Sequence, residues 1–301
     1  MNDKPWAHTL QRKRLVTADG TGIAYEVLGQ GRHTLLLANG LGGRLHSLEP
    51  IADAFWREWK IVTWDYRGLF ESDQPKSMRS LQVVHHVDDA RAILDAEKID
   101  RAVVFGWSMG VQIALDFAAT DPERVAGLIL VNGTHGHAFS SGFQPWFSIP
   151  GLPKRLHTFT EWLQRRPDAT RVLTQLTRLT EWPTTALMMI TAGRRALELR
   201  PVLRRYYEDV LGPCFKSYMR LFQELDAHSV YHLLPEITAP TLVVSGKLDF
   251  LTPSYQSDEI ARRMPNAEHL ALARASHFAL LERTAEVIGA MQRFLDRRVT
   301  L

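Results

Sequence analysis

A chain of 301 residues, 45% hydrophobic and 23% charged, has the apolar material for a sizeable core; disorder is excluded, and one core carrying one large insertion is expected. Lys and Arg number 36 against 33 Asp and Glu, and the resulting +3 is too small and too dispersed for a nucleic-acid surface. The single cysteine, Cys214, excludes an internal disulfide, no run approaches the roughly 20 apolar residues of a membrane span, and Met1 to Arg14 lack the pattern of a secretory signal, so a cytoplasmic protein is expected.

Taken in chain order, Arg14 to Thr17 and Gly22 to Leu28 are predicted to pair as an opening hairpin, and Thr34 to Ala38 is a continuous apolar strand ending at Asn39-Gly40. Lys60 to Trp64 and Val103 to Phe105 follow as buried strands. Val111 to Ala119 has helical spacing and stops before Asp121-Pro122, and Val125 to Val131 is the next strand. Strands alternating with helices predict an α/β fold with a mostly parallel sheet. From 134 to 234 the strand series stops and Leu, Arg, Trp and Met recur at helix-compatible spacing, which predicts a helical lid between two pieces of core, 1–133 and 235–301. The core resumes with a strand at Thr241 to Ser245, a helix from about Tyr255 to Arg263, a strand near Glu268 to Leu272 and a last amphipathic helix from about Ala285 to Arg297.

Gly106-Trp107-Ser108-Met109-Gly110 fits G-x-S-x-G between a predicted strand and a predicted helix, the setting of a nucleophile elbow. A serine there projects its hydroxyl from a strained turn at the carboxyl end of the sheet, and the flanking glycines remove side chains that would collide. Such a hydroxyl needs a base oriented by a carboxylate, in the chain order Ser, acid, His. Asp249, on a loop after a buried strand, is the expected acid; Asp258 falls within the next helix among Ser257, Glu259 and Arg262, on what reads as a solvated face. His277 lies on the loop before the last helix and is the expected base, whereas His269 sits within a strand and reads as structural.

The oxyanion that develops on a substrate carbonyl needs backbone N–H donors. The expected donors are Met109 and, from the loop Asn39-Gly40-Leu41-Gly42-Gly43, Leu41; a purely structural glycine turn is the alternative for that loop, which lacks the Lys-Ser/Thr pair of a phosphate cradle. Asn39, Trp107, Phe250 and Phe278 neighbour these positions and are the expected substrate-binding residues. Cys214 has no strand-turn-helix setting and reads as an inert thiol.

With these residues in place, the chain resembles the α/β-hydrolase superfamily over nearly its whole length. Trp64 to Asp73 (WDYRGLFESD) looks like that family's D-x-R-G-x-G-x-S-D loop, Asp121 to Val125 (DPERV) like its D-P-x-R-V segment, and His277-Phe278 with Glu282-Arg283 like its C-terminal motif. The resemblance implies an eight-stranded, mostly parallel sheet with a helical cap after strand six. Three positions depart from it: Asn39-Gly40 replaces the usual H-G, similar to the N-S-L-G of enol-lactonases; Phe70 stands at a usual glycine; and Val111 replaces a second glycine after the elbow. Ser108 excludes the aspartate-nucleophile branches, and Asn132 leaves the alternative acid position after strand six without a carboxylate.

In the expected lid, Trp146, Phe147, Trp162, Trp182, Met188, Met189, Tyr206, Tyr207 and Phe222 read chiefly as packed core, with an apolar pocket over Ser108 as the alternative. Arg194, Arg195, Arg200, Arg204 and Arg205 read as solvated helix faces rather than an anion or membrane site. His135 and His137 have metal-like spacing without completing ligands, and His85-His86 reads as a helix start. The expected activity is hydrolysis of a small-molecule carboxylic ester through an acyl-enzyme on Ser108, with no cofactor and no metal. A lactone, a thioester or a carbon-carbon bond served by the same residues is the first alternative, and a receptor that binds without turnover is a second.

Overall fold

The computed structural model describes residues 4–137, 155, 158, 161–162, 166, 182–192, 197–210, 212 and 214–300. Its strands are β1 (Gln11–Val16), β2 (Gly22–Gly29), β3 (His33–Ala38), β4 (Trp59–Trp64), β5 (Ala102–Trp107), β6 (Val125–Val131), β7 (Thr241–Gly246) and β8 (Ala267–Leu272). Among the described residues the helices of seven residues or more are α1 (Glu49–Phe55), α2 (Val83–Ala96), α3 (Met109–Thr120), α4 (Trp182–Ala192), α5 (Arg200–Val210), α6 (Phe215–Ala227), α7 (Ser254–Arg263) and α8 (Thr284–Arg298), and a single turn, Ala279–Glu282, precedes the last. One sheet runs β1-β2-β4-β3-β5-β6-β7-β8, antiparallel across β1–β2 and β2–β4 and parallel thereafter, as the resemblance implies. The opening strand begins three residues earlier than its apolar pattern, because Gln11 to Lys13 pair with Tyr25 to Val27 on an exposed edge.

The central strands are apolar throughout because both faces of the sheet are covered. Leu35 and Leu37 of β3 enter a cluster with Ile61, Phe105 and Phe294, while Leu36 and Ala38 enter another with Val62, Val104 and Phe117. Parallel pairing brings the carboxyl ends of β3, β5, β6, β7 and β8 to one edge, the usual place for a ligand site in an open α/β sheet.

Between β6 and β7 the chain leaves the sheet as a cap, whose described residues are largely helical. A bridge between Gly136 and Ser229, with the Val230 N–H donating to His135 O (2.9 Å), ties its two ends together. Met188, Leu203, Tyr206, Tyr207 and Val210 pack into one sheet cluster and Leu221 and Leu225 into the other, whereas Trp162 and Met189 are exposed. Arg200, Arg204 and Arg205 are exposed on α5, as expected for a solvated face. Trp146, Phe147, the Trp182 side chain, Arg194 and Arg195 lie outside the described residues.

Two of the departures from the family pattern have local explanations. Phe70 keeps the left-handed backbone a glycine would adopt (φ 50°); its N–H reaches Cys214 Sγ (3.3 Å), and the Arg44 guanidinium lies 4.8 Å from its ring centroid. Val111 fills space that Gly133 leaves open, since a Cβ at Gly133 would stand 2.2 Å from Val111 Cγ2.

Candidate active site

The turn between β5 and α3 holds Ser108 at φ 54° and ψ −114°, outside the ordinary regions for a side-chain-bearing residue. Both glycines of the motif are sterically required. A Cβ at Gly106 would lie 2.4 Å from Gly110 O, and one at Gly110 would lie 2.0 Å from Ala38 O. The Ser108 N–H donates to Val131 O (3.0 Å), which ties the turn to β6.

The hydroxyl meets His277 Nε2 at 3.0 Å, and His277 Nδ1 meets Asp249 Oδ2 at 2.9 Å. A carboxylate accepts only, so this geometry favours the proton on Nδ1 and leaves Nε2 to receive the serine proton. His277 and Asp249 are buried, 4% and 5% exposed, so the chain of bonds stands largely out of water. Asp249 accepts from several donors: the Leu251 and Thr252 N–H groups on Oδ1 (2.9 and 3.0 Å) and Asn132 Nδ2 on Oδ2 (2.7 Å). Thr252 Oγ1 stands 2.8 Å from both Asp249 Oδ2 and Asn132 O, and its one proton serves either. Asn132 Nδ2 also reaches Ser276 O (3.2 Å), so one amide links the acid loop to the histidine loop. Glu282 takes the Ser276 N–H (2.7 Å) and hydroxyl (2.5 Å), and Trp107 Nε1 donates to His277 O (3.1 Å).

The loop after β3 lies beside this array. Leu41 is buried, and Met109, as the first residue of α3, has no intrahelical acceptor for its N–H. The Tyr66 hydroxyl donates to Asn39 O (2.5 Å), Asn39 Nδ2 donates to Thr63 Oγ1 (3.2 Å), and the Tyr206 hydroxyl donates to Leu41 O (2.7 Å). Of the expected substrate-binding residues, Asn39, Trp107 and Phe278 are 1%, 3% and 1% exposed, and their described contacts are with the protein. Trp107 and Phe278 form an aromatic cluster with Tyr206, ring centroids 5.6 to 5.7 Å apart. Phe250 is half-buried beside Asp249.

The competing residues have other partners. His269 stands 2.9 Å from Ser245 Oγ and 3.0 Å from Asp258 Oδ1, which accounts for both. His85 and His86 fall in the first turn of α2, where burial pushes His86 down to about 3. Burial pushes Asp65 up to about 6 against the opposing pull of Arg44. His135 packs its ring 4.8 Å from that of Tyr231, and among the described residues no group of three or more His, Cys, Asp or Glu could hold a metal. No described helix is long and apolar enough to cross a membrane.

A family model for the alpha/beta hydrolase fold matches residues 33–284. The chain belongs to that family. Among curated relatives of this hydrolase-fold chain is a protein of Caulobacter vibrioides that carries the name carbamate hydrolase RutD, 34% identical over 127 residues, which are 41% of this chain and 46% of that protein. The chain thus spans under half the length of that relative. A poly(3-hydroxyalkanoate) depolymerase of Ectopseudomonas oleovorans is 27% identical over 265 residues, 87% of this chain and 84% of the depolymerase. The crystal structure of the enol-lactonase from Burkholderia xenovorans LB400 superposes with a TM-score of 0.76, covering 95% of this chain and 100% of that one at 22% identity, a likeness of fold.

Asn132, Thr252, Glu282 and Tyr206 are the positions that sequence reasoning undervalued. Thr252 and Glu282 carried a local signal, a hydroxyl three residues after Asp249 and a carboxylate five after His277. In the sequence Asn132 shows only the absence of a carboxylate after strand six. Tyr206 reads in the sequence only as a lid aromatic, and nothing there signals its bond to Leu41, 165 residues away.

Proposed function

We propose that this chain is a serine hydrolase that cleaves a small-molecule carboxylic ester through an acyl-enzyme on Ser108. The observation that carries the reading is the continuous hydrogen-bonded chain Ser108–His277–Asp249 at the carboxyl edge of the sheet. The names of its relatives, a carbamate hydrolase and a polyester depolymerase, support attack on an acyl carbon. In the first step Ser108 Oγ bonds to the carbonyl carbon while its proton passes to His277 Nε2, and Asp249 stabilises the imidazolium. The carbonyl oxygen, now an anion, is held by the N–H groups of Leu41 and Met109. Collapse expels the alcohol, which takes the proton from His277. Water then repeats the sequence on the acyl-enzyme and releases the acid. Phe250 borders the substrate directly, while Asn39, Trp107 and Phe278 shape the pocket from behind. The chemistry calls for no cofactor or metal, and the lone thiol fits a cytoplasmic setting.

A lactone is the second reading, favoured by the Asn39-Gly40 start of the oxyanion loop and by the likeness to an enol-lactonase. The test is covalent labelling of wild type and Ser108→Ala with an organophosphonate, location of the adduct by mass, and turnover of a panel of nitrophenyl esters, lactones and thioesters. An adduct confined to Ser108 with turnover is expected. A protein that takes no adduct and turns nothing over, yet binds a panel member, would instead be a receptor.

A further inference from the structure

We propose that Tyr206, on the cap helix α5, is a positioning residue for the oxyanion hole, so that the cap assembles part of the machinery it covers. This rests on the reading of Ser108 and of the Leu41 and Met109 amides given under Proposed function. The Tyr206 hydroxyl donates to Leu41 O at 2.7 Å in a buried setting, across 165 residues of chain. Its ring is fixed on three sides, by Trp107 (5.7 Å between centroids), Phe278 (5.6 Å) and Tyr207 (5.2 Å). Four residues on, one turn along the same helix, Val210 meets the next residue of the loop. Gly42 has φ +81°, and a Cβ there would stand 2.6 Å from Val210 Cγ2.

Helix α5 therefore grips the turn at two consecutive residues, once by a hydrogen bond and once by close packing. Among the described residues the turn itself contributes a single backbone bond, Gly43 N–H to Gly40 O (2.8 Å). The carbonyl carbon of Leu41 is two bonds from the amide nitrogen that is to face the oxyanion. Anchoring that carbonyl restricts the direction of the N–H, and oxyanion stabilisation depends on donors already aimed before charge develops. Burial holds the Tyr206 phenol well above its ordinary range, so it remains a neutral donor through any working pH. Its neighbour Tyr207 directs its hydroxyl to Thr191 within the cap and makes a natural control.

The experiment compares wild type, Tyr206→Phe and Tyr207→Phe. Each is assayed for kcat and KM on nitrophenyl butyrate and for inhibition by phenylboronic acid, whose tetrahedral serine adduct places an oxygen in the oxyanion site. Tyr206→Phe keeps the ring packing; its kcat should fall about 10- to 100-fold with KM within about twofold, and boronate affinity should weaken by a similar factor. Tyr207→Phe should leave all three unchanged. A folded Tyr206→Phe with wild-type kcat and boronate affinity overturns the proposal, as does a rise in KM alone. Should Tyr206→Phe fail to fold, Val210→Ala, which removes the packing of α5 on Gly42 and leaves the backbone of the turn untouched, must lower kcat and boronate affinity together, and wild-type values there overturn the proposal. Labelling of wild type at Ser108 keeps the two readings distinct: without it both fall, and with it an unaffected Tyr206→Phe removes only this one.

Discussion

The loop that carries Asp249 and the loop that carries Leu41 lie at the same edge of one sheet and are held in different ways. The Asp249 carboxylate takes two backbone N–H groups of its own loop and the Asn132 amide from the end of the neighbouring strand β6, so its position follows from the sheet. Among the described residues the 39–43 turn has one backbone bond of its own, is tied to the core by Asn39 to Thr63 of β4 and by Tyr66 beyond it, and is held from the cap by Tyr206 and Val210. In the proposed role of Asp249 as the acid, bonds from its own loop and from β6 hold the carboxylate independently of the cap. If the 39–43 turn donates to the oxyanion as proposed, its support from the cap makes that function sensitive to how the cap is seated.

The variants that bear on this contrast span a wide range of effect. Ser108→Ala should lower turnover about 10⁵- to 10⁶-fold while leaving urea unfolding unchanged, and wild-type-like ester hydrolysis would remove the nucleophile assignment. Asp249→Asn should cost about 10⁴-fold in kcat, because an amide favours the wrong histidine tautomer. Asn132→Ala removes one charge-assisted bond to Asp249 and leaves the two backbone donors, so a kcat loss of about 10- to 100-fold is expected. A loss as large as that of Asp249→Asn would mean that the acid loop depends on a single prop after all.

The smallest effect is on stability rather than activity. His86 is buried neutral with its pKa pushed down to about 3 by burial and then by Arg67, below the ordinary 6.5. The unfolded chain therefore takes up the proton first: the stability this group contributes is fully present above pH 6.5 and is lost as pH falls toward 3. Between pH 6.5 and pH 5 the loss is about 2 kcal/mol. His46, pushed down to about 4 by burial with Arg205 and Arg44, adds a slope of the same sign, and Asp65, raised to about 6, opposes both between pH 3.8 and 6. Urea midpoints at pH 7 and pH 5 should converge in His86→Leu relative to wild type. An unchanged pH slope in His86→Leu would remove this histidine, whose ring lies 4.9 Å from that of Tyr66, as a source of the acid loss.

Legibility in the sequence followed the range of the interactions involved. The strands were readable because each is a short apolar run bounded by turn residues, and the elbow because the clashes that demand Gly106 and Gly110 lie within a few residues of Ser108 or on the adjacent strand. Asp249 and His277 can be placed at the sheet edge from the sequence because each follows a strand on a loop, and the structure brings them within hydrogen-bond distance. Trp107 and Phe278 neighbour the expected site in sequence, and the structure adds that they lie buried in one aromatic cluster with Tyr206, with Trp107 Nε1 donating to His277 O.

By itself the sequence determined the order of strands and helices, the strained serine turn and the residues able to form a nucleophile, base and acid, since all of these rest on local sterics and hydrophobic period. Only the tertiary structure decided that Asn132 holds Asp249 across 117 residues and that Tyr206 holds Leu41 across 165. Hydrogen bonds between residues so distant leave no periodicity in the chain, and they exist only once the sheet has brought its strand ends to one edge and the cap has closed against them.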